Sequence, residues 1–177
     1  MKIRNLLIFI ILILVNCNLA TSQENQISKT QLTDRPIESK LSYATWRTDY
    51  YICTGIAYAK SLGMTVNDFA VFVGNRHTIT SPKDTSISAV MKTMYSVITT
   101  YPKGKLDLLT ETSTSATFRS NRPYSSYFRN GPVLGVTIDE FESYLYGHVA
   151  IMTKRIGIEF KYDIKGDTVF GKVARYR

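Results

Sequence analysis

The stretch Thr137–Ile156, TIDEFESYLYGHVAIMTKRI, constrains the fold more than any other part of the chain. Thr137 and Glu140 form a capping box, in which each side chain satisfies a backbone N–H that a helix start leaves without a partner. Val136, just outside the cap, is placed to staple onto Phe141. Phe141, Leu145, His148, Val149, Met152 and Ile156 then recur at spacings of three and four, so they line one face. Lys154 and Arg155 in the last turn suit the helix dipole, and Gly157 supplies a left-handed stop. A hairpin follows at once. Ile158, Phe160, Tyr162 and Ile164 alternate with polar residues, Lys165-Gly166-Asp167 turns, and Thr168 to Tyr176 returns. A striped helix running straight into a hairpin is expected to lie across a sheet.

The preceding chain supplies the other elements. Ser42–Leu62 predicts a helix that Gly63 ends; Trp46, Tyr50, Cys53 and Ala57 share one face, and Tyr51, Gly55, Ala59 and Leu62 lie on the other. A helix apolar or small nearly all round is expected to be buried between layers. A second helix is expected over 66–76. Its start, Gly63 to Val73, matches Gly135 to Leu145 in chemical type, with a Thr cap, an acid three residues on and a Phe staple in each. Helix-start grammar accounts for that likeness without duplication. His77 beside Arg76 at its end places basic groups where they suit the dipole.

After a loop at 78–85 containing Pro82, the helix 86–100 carries Ile87, Val90, Met91, Met94, Val97 and Ile98 at helical spacing and stops at Tyr101-Pro102-Lys103-Gly104. Two strands, about 105–112 and 115–121, join at a tight turn near Ser113. An irregular crossing loop, 120–135, leads to the long helix. The expected fold is α+β: three N-terminal helices, a β-hairpin, a long helix and a C-terminal hairpin. Its four-stranded antiparallel sheet packs against helices, and no linker divides it.

The start of the chain reads as an address. Lys2 and Arg4 precede ten uninterrupted apolar residues, Leu6–Val15, and Ala20-Thr21-Ser22 precedes Gln23, the pattern of a secretory signal peptide over 1–22. Leu14-Val15-Asn16-Cys17 approaches a bacterial lipobox, with Asn16 departing from it, so anchoring through a lipidated Cys17 is the alternative and the one route to a membrane. Residues 23–40 are polar and lack aromatics, which suits a flexible lead, and 41–177 forms the expected domain. There is no Asn-x-Ser/Thr sequon, and an exported bacterial protein, periplasmic or extracellular, is the expectation. Removing Lys2 and Arg4 leaves 20 basic residues against 14 acidic ones, a net charge of +6. The basic residues occur singly or in pairs with no nucleic-acid-binding motif, which argues against nucleic acid as a partner. One cysteine, Cys53, remains, so no internal disulfide is available.

Candidate chemistry is sparse. His148, in the stripe of the long helix, reads as a core imidazole, as an axial haem ligand, or as a base acting on Cys53 or Asp49 in a hydrolase. Cys53 at a helix centre has no local source of activation and suits a small buried hydrophobe. Asp49, one turn before it near Trp46 and Tyr50, wants a cation or hydroxyl partner. Two isolated histidines without paired cysteines give no metal site by spacing. The crossing loop is richest. Arg119, Arg122, Tyr124, Tyr127, Arg129 and Asn130 combine guanidinium forks, which grip carboxylate or phosphate, with flat hydroxyl-tipped rings. That loop reads as a lid for an acidic amphiphile, or as a solvated loop whose tyrosines tuck into the core. Met64, Met91, Met94 and Met152 read as adaptable pocket lining or as core filling.

The order of elements over 42–176 resembles the small-molecule sensor and trafficking domains of the V4R and haem–nitric-oxide-binding kind. The resemblance covers order alone: there is no V4R-type cysteine cluster, and no haem-propionate motif accompanies His148. It implies a ligand pocket between helices and sheet. The leading expectation is thus an exported non-enzymatic domain that binds a small apolar or amphipathic ligand, with room for an anionic one, or an envelope protein partner. Trp46, Tyr50, Arg122, Tyr124, Tyr127, Arg129 and His148 would contact it. A hydrolase using Cys53 or Asp49 with His148, and a structural envelope protein, are the alternatives.

Overall fold

The computed structural model describes residues 36–77 and 85–176. The expected signal peptide with Cys17, the lead over 23–35 and most of the Pro82 loop lie outside the described residues. From Ile37 onward the chain belongs to one compact unit. The elements are α1 (Ile37–Ser61), α2 (Val66–His77), α3 (Ile87–Thr100), β1 (Leu106–Glu111), β2 (Ser115–Asn121), a single 3-10 turn (Ser125–Phe128), α4 (Ile138–Arg155), β3 (Ile158–Lys165) and β4 (Thr168–Arg175). The architecture is α+β, with a four-stranded antiparallel sheet in the order β1-β2-β4-β3.

The two near-repeated helix starts both form as the residues dictate. Thr137 Oγ1 accepts from the Glu140 N–H at 3.2 Å, and a Glu140 carboxylate oxygen accepts from the Thr137 N–H at 2.9 Å. Thr65 and Asp68 make the same exchange at 3.2 and 3.1 Å. The glycines two residues ahead, Gly63 and Gly135, have φ of +78° and +74°, a left-handed turn that aims each chain into its cap. Val136 and Phe141 are both fully buried in one cluster, as the staple requires.

α4 is the axis of the molecule. Its expected single stripe is two buried faces instead. Tyr146, Leu145, Val149 and Ala150 join the cluster over the sheet with Phe118, Ile158, Phe160, Val169 and Val173. Phe141 and Tyr144 turn the other way, into a cluster with Cys53, Ile56, Ala70, Tyr124 and Phe128. Small residues let α2 approach α4 closely: a Cβ on Gly74 would lie 2.8 Å from Ile151 Cβ, and one on Gly147 would lie 3.2 Å from Ala70 Cβ. Across the sheet, Phe118 lies over Gly171, its cross-strand partner, leaving no room for a side chain there. On α3, Ile87, Val90, Met91 and Ile98 are buried over the sheet, whereas Val97 is half exposed.

Two expectations about the first helix are corrected. It begins at Ile37, so 37–40 are its first turn and not part of a flexible lead. It also docks on the core by one face only and is not buried between layers. Thr45, Asp49, Cys53, Ile56 and Ala59 form its inner face at spacings of four and three. The aromatics fall off that line, and Trp46, Tyr50, Tyr51 and Tyr58 stay 46, 37, 59 and 65% exposed. A stripe one small residue wide suffices to dock α1, which leaves the large rings to the surface.

A candidate groove beneath helix α1 and two buried carboxylates

The site residues expected from sequence separate into three groups. In the first, the crossing loop is pinned. Arg122 grips Glu142 with both ends of its fork, Nε to Oε1 at 2.7 Å and Nη2 to Oε2 at 2.9 Å, and its Nη1 donates to the Gly166 carbonyl at 3.0 Å. The Tyr124 hydroxyl donates to Glu142 Oε1 at 2.8 Å and lies 2.9 Å from the Tyr146 hydroxyl. The Tyr146 ring packs on Tyr162 at 4.4 Å. Burial, the neighbouring hydroxyl and the charge of Glu142 raise the Tyr124 phenol, and burial foremost pushes Tyr146 up to about 12. These tyrosines stay neutral. Tyr124 is 1% exposed, so it is a core residue tying the loop to α4, while Arg122 ties it also to the β3–β4 turn. Arg129, just past the 3-10 turn, is exposed.

The second group gathers on the inner face of α1. Asp49 is 3% exposed, and its Oδ1 accepts from the Tyr101 hydroxyl at 2.6 Å. No cation pairs with it among the described residues. Burial raises its carboxyl to about 6, with the Tyr101 hydrogen bond pulling the other way. Burial, then the charge of Asp49, pushes the fully buried Cys53 thiol up to about 11. That is the reverse of what a thiolate nucleophile needs. The Tyr127 hydroxyl is buried without a partner, and its ring stands edge-on to Trp46 at 6.1 Å. Burial and the charges of Cys53, Asp49 and Tyr50 push it up to about 12. The Tyr101 ring meets Tyr124 at 6.2 Å, so the two polar clusters touch edge to face.

His148 stands in neither group. Its Nδ1 lies 3.2 Å from the Tyr144 carbonyl, and its ring stacks on Tyr144 at 5.2 Å. The groups acting on Cys53 and Tyr127 do not include it. Among the described residues no three His, Cys, Asp or Glu gather as a metal site would require, and no helix is long and apolar enough to cross a membrane.

The third group sits at the surface of α1. Cys53, Ile56, Tyr124, Phe128, Phe141 and Tyr144 pack together as one buried cluster between α1, the crossing loop and α4. Concavity appears outside it instead. A groove of about 280 Å³ between α1, α2 and α4 is lined by Thr48, Tyr51, Ile52, Gly55, Phe69 and Tyr144. Phe69 stacks on Tyr144 at 5.3 Å, so two stacked rings form part of the wall, and Tyr144 stacks in turn on His148 outside the lining. Gly55 opens the floor: a Cβ there would meet Phe69 Cζ at 3.1 Å. A shallower hollow of about 550 Å³ runs past Glu38, Ser39, Ser42, Tyr43 and Trp46, beside the ladder in which Trp46 stacks on Tyr43 at 5.9 Å and on Tyr50 at 5.6 Å.

Sequence reasoning missed Tyr51, Phe69, Tyr144 and Glu142 as site or network residues. Glu142 and Tyr146, four apart on α4, carried the one legible signal, a carboxylate and a phenol stacked on a helix face beside the apolar stripe. No family model, no curated protein and no solved structure matches this chain.

Proposed function

We propose that the chain is an exported, non-enzymatic domain that binds a small amphipathic ligand, held in the surface groove beneath α1 rather than in an interior pocket. The observation that carries this reading is the groove of about 280 Å³ walled by Tyr51, Phe69 and Tyr144. Its size is near the lower end of ligand pockets, and it offers aromatic faces. Catalysis is the weaker reading. Cys53 is held as the thiol, Asp49 has no cation among the described residues, and His148 is engaged by its own helix.

Native mass spectrometry of the mature protein from its own host's envelope tests the reading, with a Gly55→Leu variant alongside. A small bound mass on the wild type, lost from a variant with unchanged circular dichroism, is the expected result. A bare wild-type mass, or an equal bound mass on the variant, overturns it.

A further inference from the structure

Resting on the groove as the ligand site, we propose that its ligand is a single-chain amphiphile with a carboxylate head, of the fatty-acid kind, and that Arg47 receives the head. Arg47 lies one turn before Tyr51, the residue that forms the rim of the groove. Its Nη2 donates to the Tyr51 hydroxyl at 2.7 Å, and the guanidinium sits over the Tyr51 ring at 5.6 Å and the Tyr43 ring at 5.8 Å. The head is therefore held by two rings and a hydroxyl, and among the described residues it meets no carboxylate. The remaining donors of the fork are left for an acceptor from outside. Ordinarily a surface arginine is paired or swings freely; this one is stacked and oriented, which lowers the entropy lost when an anion docks.

The geometry defines the rest of the ligand. The floor and wall, Ile52, Gly55, Phe69 and Tyr144, are apolar, so the part of the ligand that enters must be hydrocarbon. The volume suits one chain and not the pair carried by a diacyl lipid. One guanidinium balances the single charge of a carboxylate, whereas a phosphate monoester carries close to two.

The test is a titration of the mature protein with 1-decanol, decanoate and decyltrimethylammonium, each below its micelle concentration. Binding is followed by calorimetry and by the fluorescence of Trp46, the sole tryptophan. Decanoate is expected to bind about tenfold tighter than decanol, as a charge-assisted contact gives, with decyltrimethylammonium weakest. Arg47→Gln is expected to bring decanoate down to decanol while leaving decanol unchanged. Equal binding of all three to the wild type, or a tenfold gap that survives Arg47→Gln, overturns the head-group assignment and leaves the groove standing. Failure of every probe to bind overturns the groove as well.

Discussion

Glu142 and Asp49 are two carboxylates buried to the same degree, 4% and 3% exposed, and they could hardly be treated more differently. Glu142 receives a bidentate guanidinium and a tyrosine hydroxyl. Asp49 receives a hydroxyl from Tyr101 and has a thiol and an unpartnered phenol for neighbours. A buried carboxylate with a cation is a fixed pin, because the ion pair and its hydrogen bonds offset the lost hydration. Without the cation the same group holds its proton to a higher pH, about 6 for Asp49. The contrast also divides the molecule: the Glu142 side fixes the crossing loop to α4, and the Asp49 side is where α1 docks.

The largest effect should come from breaking the pin. Arg122→Ala leaves Glu142 buried without its partner, and the expected loss is about 3–5 kcal/mol, read from urea denaturation. A loss below about 1 kcal/mol, the scale of an exposed pair, would make the two carboxylates alike.

Asp49→Asn should act in the opposite direction. The folded protein keeps the Asp49 proton up to about pH 6, while an unfolded aspartate releases it near pH 4. Stability from this group is therefore complete below the ordinary carboxylate range and is lost as the pH rises through about 6. At pH 7.5 the wild type carries a penalty of about 2–3 kcal/mol, from two pH units at 1.36 kcal/mol each. Asparagine keeps an oxygen for the Tyr101 hydroxyl, so the variant should be more stable by about that amount at pH 7.5 and equal to the wild type near pH 4. Melting curves across this range check it; a variant less stable at neutral pH would mean that Asp49 has found a cation.

Much of this was readable in the chain. Local grammar gave both capping boxes, the two hairpins and the α+β order, because each rests on residues within a few positions of one another. What sequence could not reveal was which side of a helix the rest of the molecule occupies. Phe141 and Tyr146 both look like core on α4, yet they serve different clusters on opposite sides. Trp46 looked buried and is a surface ring, because Asp49 and Cys53, the smaller residues, took the docking face. The crossing loop was rich in the right residues, but the partner that turns Arg122 from a gate into a pin is Glu142, twenty positions away. The groove was hidden for the same reason. Its walls come from three helices, and a glycine, Gly55, makes part of its floor.

The smallest predicted effect tests how finished the Asp49 side is. Tyr124 and Tyr127 are neighbours in the crossing loop, and both bring a phenol into the interior. Tyr124 spends its hydroxyl on Glu142 and Tyr146, whereas the Tyr127 hydroxyl is buried without a partner. An unpaired buried donor carries its full dehydration penalty, so its removal should cost nothing or should stabilise. Tyr127→Phe is accordingly expected to leave stability unchanged or raise it by up to about 1 kcal/mol, while the ring keeps its edge contact with Trp46. Thermal unfolding at pH 5 and pH 7.5 reads the result. A loss of about 1 kcal/mol or more at both values would mean that the hydroxyl is satisfied after all, by an ordered water reaching Asp49. The Asp49 side would then be a closed network like that of Glu142, distinguished only by the cation it lacks.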